Sequence, residues 1–237
     1  MARAVLFDLD DTLFDHRFSA RAALREVHAR HAAHADFDAF ERHHTRYLEE
    51  MHVEVLAGRI GLDAARRERF RRVFLALGVA LDSSDVDAVA SAYRHGYLQA
   101  RRPIQGAVEL LAAVRPLARV AIVSNNLVDE QREKLQFCGL AEYVDVLMVS
   151  EEAGASKPDP RIFEMALSRL DVAAIDAAML GDSWTADVVG ARRAGIRVVW
   201  FNPQRSAQPD EPAGVAAVHS LTPASTVISV LFEQRVL

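Results

Sequence analysis

Cysteine is all but absent: the 237-residue chain has one, Cys138. A lone thiol closes no internal disulfide and completes no thiolate zinc cluster. A disulfide-stapled secreted scaffold is therefore excluded, and a reducing, cytoplasmic setting is expected. Long apolar runs are missing too. No stretch approaches the roughly 18–20 residues that a membrane span requires. The first carboxylate, Asp8, follows only Val5, Leu6 and Phe7, too early for the apolar region of a secretory signal. Neither charge sign dominates, with 28 basic against 33 acidic residues, so neither nucleic acid nor a membrane is expected as a partner. Lysine is scarce. Only Lys134 and Lys157 stand beside 26 arginines.

Proline is missing from the first 102 residues, and all eight lie at or after Pro103. Residues 16–102 read as about four amphipathic helices. Phe40, His44, Tyr47, Met51 and Val55 recur at helical spacing, as do Phe70, Val73, Phe74 and Leu77, then Val86, Val89, Tyr93 and Tyr97. The remainder alternates short apolar runs with helical patterns. The runs are Ala4–Phe7, Val120–Val123, Val144–Val149, Ala178–Leu180 and Arg197–Phe201, with a weaker one at Val215–Val218. Between them lie helical stretches at Gly106–Pro116, Val128–Phe137, Pro158–Leu170 and Ala186–Ala194. Such alternation predicts an α/β fold with a doubly wound parallel sheet. An all-α domain, residues 16–102, interrupts a core made of residues 1–15 and 103–237.

In a sheet of this kind, ligands bind beyond the carboxyl ends of the strands. The runs end at Asp8, at Ser124-Asn125 and at Gly181-Asp182, with Lys157 soon after the third. Asp8 is a carboxylate nucleophile that needs no base, since aspartate ionises near pH 4. Its obstacle is repulsion from an anionic phosphate, which a divalent cation and a lysine would remove. Magnesium suits ligation by a few carboxylate and carbonyl oxygens. Ser124 can hold phosphate oxygens, and Asp10 can protonate a leaving oxygen.

These residues fall in four ordered motifs: Val5-Leu6-Phe7-Asp8-Leu9-Asp10-Asp11-Thr12-Leu13, Val123-Ser124-Asn125, Ser156-Lys157-Pro158-Asp159-Pro160, and Gly181-Asp182-Ser183 with Asp187. In them the chain resembles the haloacid dehalogenase-like (HAD) hydrolase superfamily, in its phosphatase branch with a helical cap. The resemblance implies that Asp8 becomes an aspartyl phosphate and that Asp10 is acid, then base. It implies magnesium held by Asp8 and Asp182 and by the Asp10 main-chain carbonyl. Ser124, Asn125 and Lys157 would bind the phosphoryl group, and Asp187 would orient the metal's waters or Lys157. The implied substrate is a small phosphorylated metabolite, nucleotide- or sugar-phosphate-like. Asp11 stands where many relatives carry glycine.

Three alternatives are weaker. A 2-haloacid dehalogenase lacks an aspartate equivalent to Asp10. A β-phosphoglucomutase-like transferase carries paired acidic residues in the fourth motif, which are missing here. An aspartate-phosphorylated signalling module does not carry an insert after its first strand. Eight of nine histidines lie in the insert, but no His-Glu-x-x-His occurs, so packing is the expected role. Tyr93 and Tyr97 are read first as packing residues. His16, Arg17 and Phe18 lie where insert meets core.

Overall fold

The computed structural model describes residues 3–232. It divides into two compact units, one built from the chain up to Asp15 and from Arg102 onward, the other from His16–Arg101.

The first unit is a six-stranded parallel sheet. Its strands are β1 (Ala4–Phe7), β2 (Arg119–Ser124), β3 (Val146–Val149), β4 (Ala177–Gly181), β5 (Arg197–Phe201) and β6 (Ala216–Val218), in the order β3-β2-β1-β4-β5-β6. Both neighbours of β1 run parallel to it, Phe7 lying level with Ile122 on one side and Leu180 on the other. The four residues of β1 are fully buried, as expected of a strand covered on both faces. Leu6, Ala121, Val123 and Met179 meet Ile162, Phe163, Ala166 and Leu170 of one helix in a shared core. Successive strands wind outward from β1 in both directions, which leaves a crevice at the carboxyl ends of β1, β2 and β4.

The second unit contains α1 (His16–His31), α2 (Phe37–Leu56), α3 (Leu62–Ala76) and α4 (Ser83–Gln99). Asp36 and Asp82 start α2 and α4 as side-chain caps, accepting from the Ala39 and Asp85 amides at 2.8 Å each. Phe40, Phe70 and Phe74 are fully buried between the helices. The first unit contributes α5 (Ala107–Val114), α6 (Val128–Phe137), α7 (Ser150–Ala153) and α8 (Pro160–Leu170), then α9 (Gly190–Arg193) and α10 (Ala224–Phe232).

Two expectations shift. The helix expected at Ala186–Ala194 is a π-helical segment, Trp184–Val189, continued by α9. The helix α10 had no counterpart in the sequence reading. Among the described residues, no helix is long and apolar enough to cross a membrane.

Candidate active site

The site starts where β1 stops. The Asp8 amide continues the ladder, donating to the Leu180 carbonyl at 3.0 Å, so the side chain projects from the sheet's carboxyl edge. The chain then turns sharply. The Asp11 amide donates to Phe14 at 2.7 Å, and Asp11 adopts φ 63°, the left-handed region that favours glycine. Aspartate tolerates it better than most residues, which accounts for a non-glycine residue at this turn.

Asp8, Asp182 and Asp187 each offer a carboxylate oxygen within 4.8 Å of the others. Lys157 reaches two of them, donating to Asp8 at 2.6 Å and to Asp187 at 2.7 Å, and all three partners are buried. Burial pushes the Asp8 carboxyl well above its usual range; Lys157 opposes this, and the charges of Asp187 and Asp182 add to it. Burial alone would lower Lys157, but the carboxylates of Asp187 and Asp8 reverse that and hold it above its ordinary value. Lys157 therefore stays cationic. One lysine cannot neutralise three clustered carboxylates, and the surplus negative charge on oxygen donors fits a hard divalent cation.

Asp182 and Asp187 are held from behind. The Thr12 hydroxyl accepts the Asp182 amide at 3.0 Å, and the Trp200 indole donates to the Asp182 carbonyl at 2.8 Å. Asp187 accepts the Ser183 amide at 2.9 Å through its second oxygen. A helix-start contact and a contact with Lys157 are thus both satisfied by one carboxylate. Gly181 makes this possible, since a Cβ there would collide with the Asp187 side chain.

Asn125, expected among the phosphate ligands, has a different use for its side chain. Its amide donates to the Lys157 carbonyl at 2.8 Å and its oxygen accepts the Lys157 amide at 2.7 Å. The side chain thereby locks the backbone that carries the lysine.

Asp10 anchors a second group of contacts. Lys134, buried on α6, donates to one Asp10 oxygen at 2.6 Å. Gln131, one turn earlier and fully buried, donates to the other at 2.9 Å and to the Ser124 hydroxyl at 2.6 Å. Asn126 adds a longer contact to Asp10 at 3.3 Å. Sequence reasoning missed Lys134, Gln131 and Asn126. The scarcity of lysine was the available signal for the first.

The family model for haloacid dehalogenase-like hydrolases matches residues 2–195. The chain belongs to this family. Curated members include the ribulose-1,5-bisphosphate 5-phosphatase of Halopiger xanaduensis, 33% identical over 224 residues and 92% of each chain. Another is the glyceraldehyde 3-phosphate phosphatase of Pyrococcus abyssi, 30% identical over 85% of this chain and 82% of its own. The solved structures include magnesium-bound YfnB of Bacillus subtilis, with TM-score 0.78 and 24% identity over 97% of this chain and 98% of that one, a likeness of fold. The HAD-like fold and its α/β class thus hold as read from the sequence, and the chain is a hydrolase.

Proposed function

We propose that this HAD hydrolase is a phosphomonoesterase acting on a small phosphorylated metabolite through an aspartyl phosphate on Asp8. The observation that carries it is the clustered trio of buried Asp8 and Asp187 with half-buried Asp182, Lys157 bridging the first two. The HAD relatives named for sugar-phosphate and nucleotide substrates support the same class. Besides those above, the pyrimidine 5'-nucleotidase YjjG of Escherichia coli is 36% identical over half of this chain and 53% of its own. The retained Asp10 favours an ester leaving group that needs a proton over dehalogenation. A cytoplasmic setting rests on the single, buried Cys138.

In this reading an Asp8 oxygen attacks phosphorus, the P–O bond to the metabolite breaks, and the leaving oxygen takes a proton from Asp10. Asp10 then accepts a proton from water as it attacks phosphorus, releasing inorganic phosphate and restoring the Asp8 carboxylate. Lys157 and Ser124 hold phosphoryl oxygens, and Asp187 fixes the direction of the Lys157 ammonium. Asp8 and Asp182, with the Asp10 carbonyl, would hold magnesium, which supplies positive charge to the transferring phosphoryl group. The purified protein should hydrolyse p-nitrophenyl phosphate with magnesium, fall silent with EDTA, and lose turnover in Asp8→Asn. Undiminished turnover in that variant would rule out the nucleophile.

A further inference from the structure

Ser124, Asp10 and the α6 side chains that support them all belong to the sheet unit. Phe7 lies level with Ile122, so Asp8 and Ser124 leave neighbouring strands at the same edge. Ser124 is buried there, and Gln131 behind it is fully buried. The Gln131 Nε2 donates to the Ser124 hydroxyl at 2.6 Å and to one Asp10 oxygen at 2.9 Å. Both protons of that amide are thereby committed.

The other end of the amide is bare. Among the described residues, the Gln131 Oε1 is a buried acceptor with no donor. Such an orphan costs stability, and turning the amide over would give this oxygen the Ser124 hydroxyl. Asp10 forbids that turn. Its Oδ2 also accepts the Asn126 amide at 3.3 Å and its Oδ1 accepts Lys134 at 2.6 Å, so both oxygens face donors. A reversed Gln131 would set its own carbonyl oxygen against Asp10. The orphaned Oε1 is what this fixed orientation costs.

The orientation decides the fate of the Ser124 proton. A hydroxyl that accepts from Gln131 still has its single proton to give. Among the described residues, no acceptor takes it. The edge where Asp8 emerges therefore carries a buried donor without an acceptor.

We propose that Gln131 is a positioning residue: by donating to Ser124 it reserves that hydroxyl's proton for a ligand oxygen. The arrangement selects a group whose oxygens only accept, an ionised tetrahedral oxyanion such as phosphoryl. With the amide reversed, Gln131 would capture the proton and Ser124 would offer the phosphoryl group a lone pair. The inference deepens the phosphatase reading, on which the role of Ser124 rests.

Calorimetric titration of the full chain with inorganic phosphate, magnesium present throughout, tests this without turnover. Ser124→Ala should weaken phosphate about tenfold, the scale of a hydrogen bond to a charged group. Gln131→Leu should weaken it about threefold or more, because the hydroxyl is then free to turn. In the double variant the second change should cost nothing further, since the hydroxyl through which Gln131 acts is gone. A residue that only holds the fold would multiply the losses instead. Gln131→Met repeats the cycle should the leucine variant fail to fold. Multiplied losses, undiminished affinity in the Gln131 variants, or an unsubstituted chain that binds no phosphate would each overturn the proposal. Continued ester cleavage alongside those results would leave the phosphatase reading intact. Esters that stay uncleaved, while phosphate binding depends on Gln131 through Ser124, would refute that reading and leave the role of Gln131 standing.

Discussion

Lys134 and Gln131 bring a cation and an amide to opposite oxygens of Asp10, fixing the plane of that carboxyl group. Gln131 also ties it to Ser124, so the carboxyl group proposed as proton donor and the hydroxyl proposed to hold phosphate share one support. Lys134→Met should therefore damage esters with poor leaving groups far more than p-nitrophenyl phosphate, whose phenolate leaves without a full proton. The expected difference in kcat is on the order of 10²-fold, the usual scale of general acid catalysis, measured across a leaving-group series. Equal losses on all esters would show that Lys134 only stabilises the fold. Asp8, Asp10, Lys157 and Asp182 were legible because they follow strands, where chain position alone dictates convergence. Lys134 and Gln131 lie one turn apart on a helix whose periodicity does not reveal which polar face meets the site. Nor could the sequence show that Asn125 would turn its amide toward the Lys157 backbone, because that pairing joins residues 32 positions apart.

The segment after β4 works as a unit. Gly181 lets the strand end pass close beneath Asp187, and the π-helical turn at Trp184–Val189 brings that carboxylate back to Lys157. Gly181→Ala should keep the circular dichroism of the native protein yet reduce kcat by about tenfold or more, through displacement of Asp187 and the lysine it directs. In the helical unit, the buried His44 couples α2 to solution pH. Unfolded, it takes a proton near pH 6.5; folded, it does so only at lower pH. The unfolded chain then binds more protons, so stability should fall as pH drops below about 6.5. His44→Gln should flatten part of that decline in Tm between pH 7.5 and 5. Strands and the four inserted helices were readable because buried runs and amphipathic stripes have distinct periods. The π-helical turn was not, because its extra residue depends on how Asp187 and Ser183 are held. Helix α10, Ala-Ser-Thr-Val-Ile-Ser-Val-Leu-Phe, mixes β-branched and apolar residues, so its sequence competes with a strand reading.

At the scale of the molecule, the surplus negative charge of the aspartate trio should couple folding to cation concentration. If magnesium binds at Asp8 and Asp182, saturating it should raise Tm, each kcal/mol of binding giving roughly 2–4 °C in a chain of this size. Asp182→Asn should abolish most of the rise in a thermal-shift titration. The two units also meet along the chain in an unusual way. On the sheet side, the Asp15 amide donates to the Arg102 carbonyl at 3.1 Å, and the Arg102 guanidinium reaches the Asp15 carboxylate at 2.7 Å. On the helical side, the Ser19 hydroxyl donates to the Ala100 carbonyl at 3.2 Å, and His16 and Tyr97 share a hydrogen bond of 2.9 Å. Each unit therefore holds its own two crossing strands of chain together, and the insert imposes little loop-closure entropy on the sheet. The junction behaves as a socket. Any helical module whose ends lie as close together could be grafted between residues 15 and 102, leaving the sheet and its carboxyl edge intact.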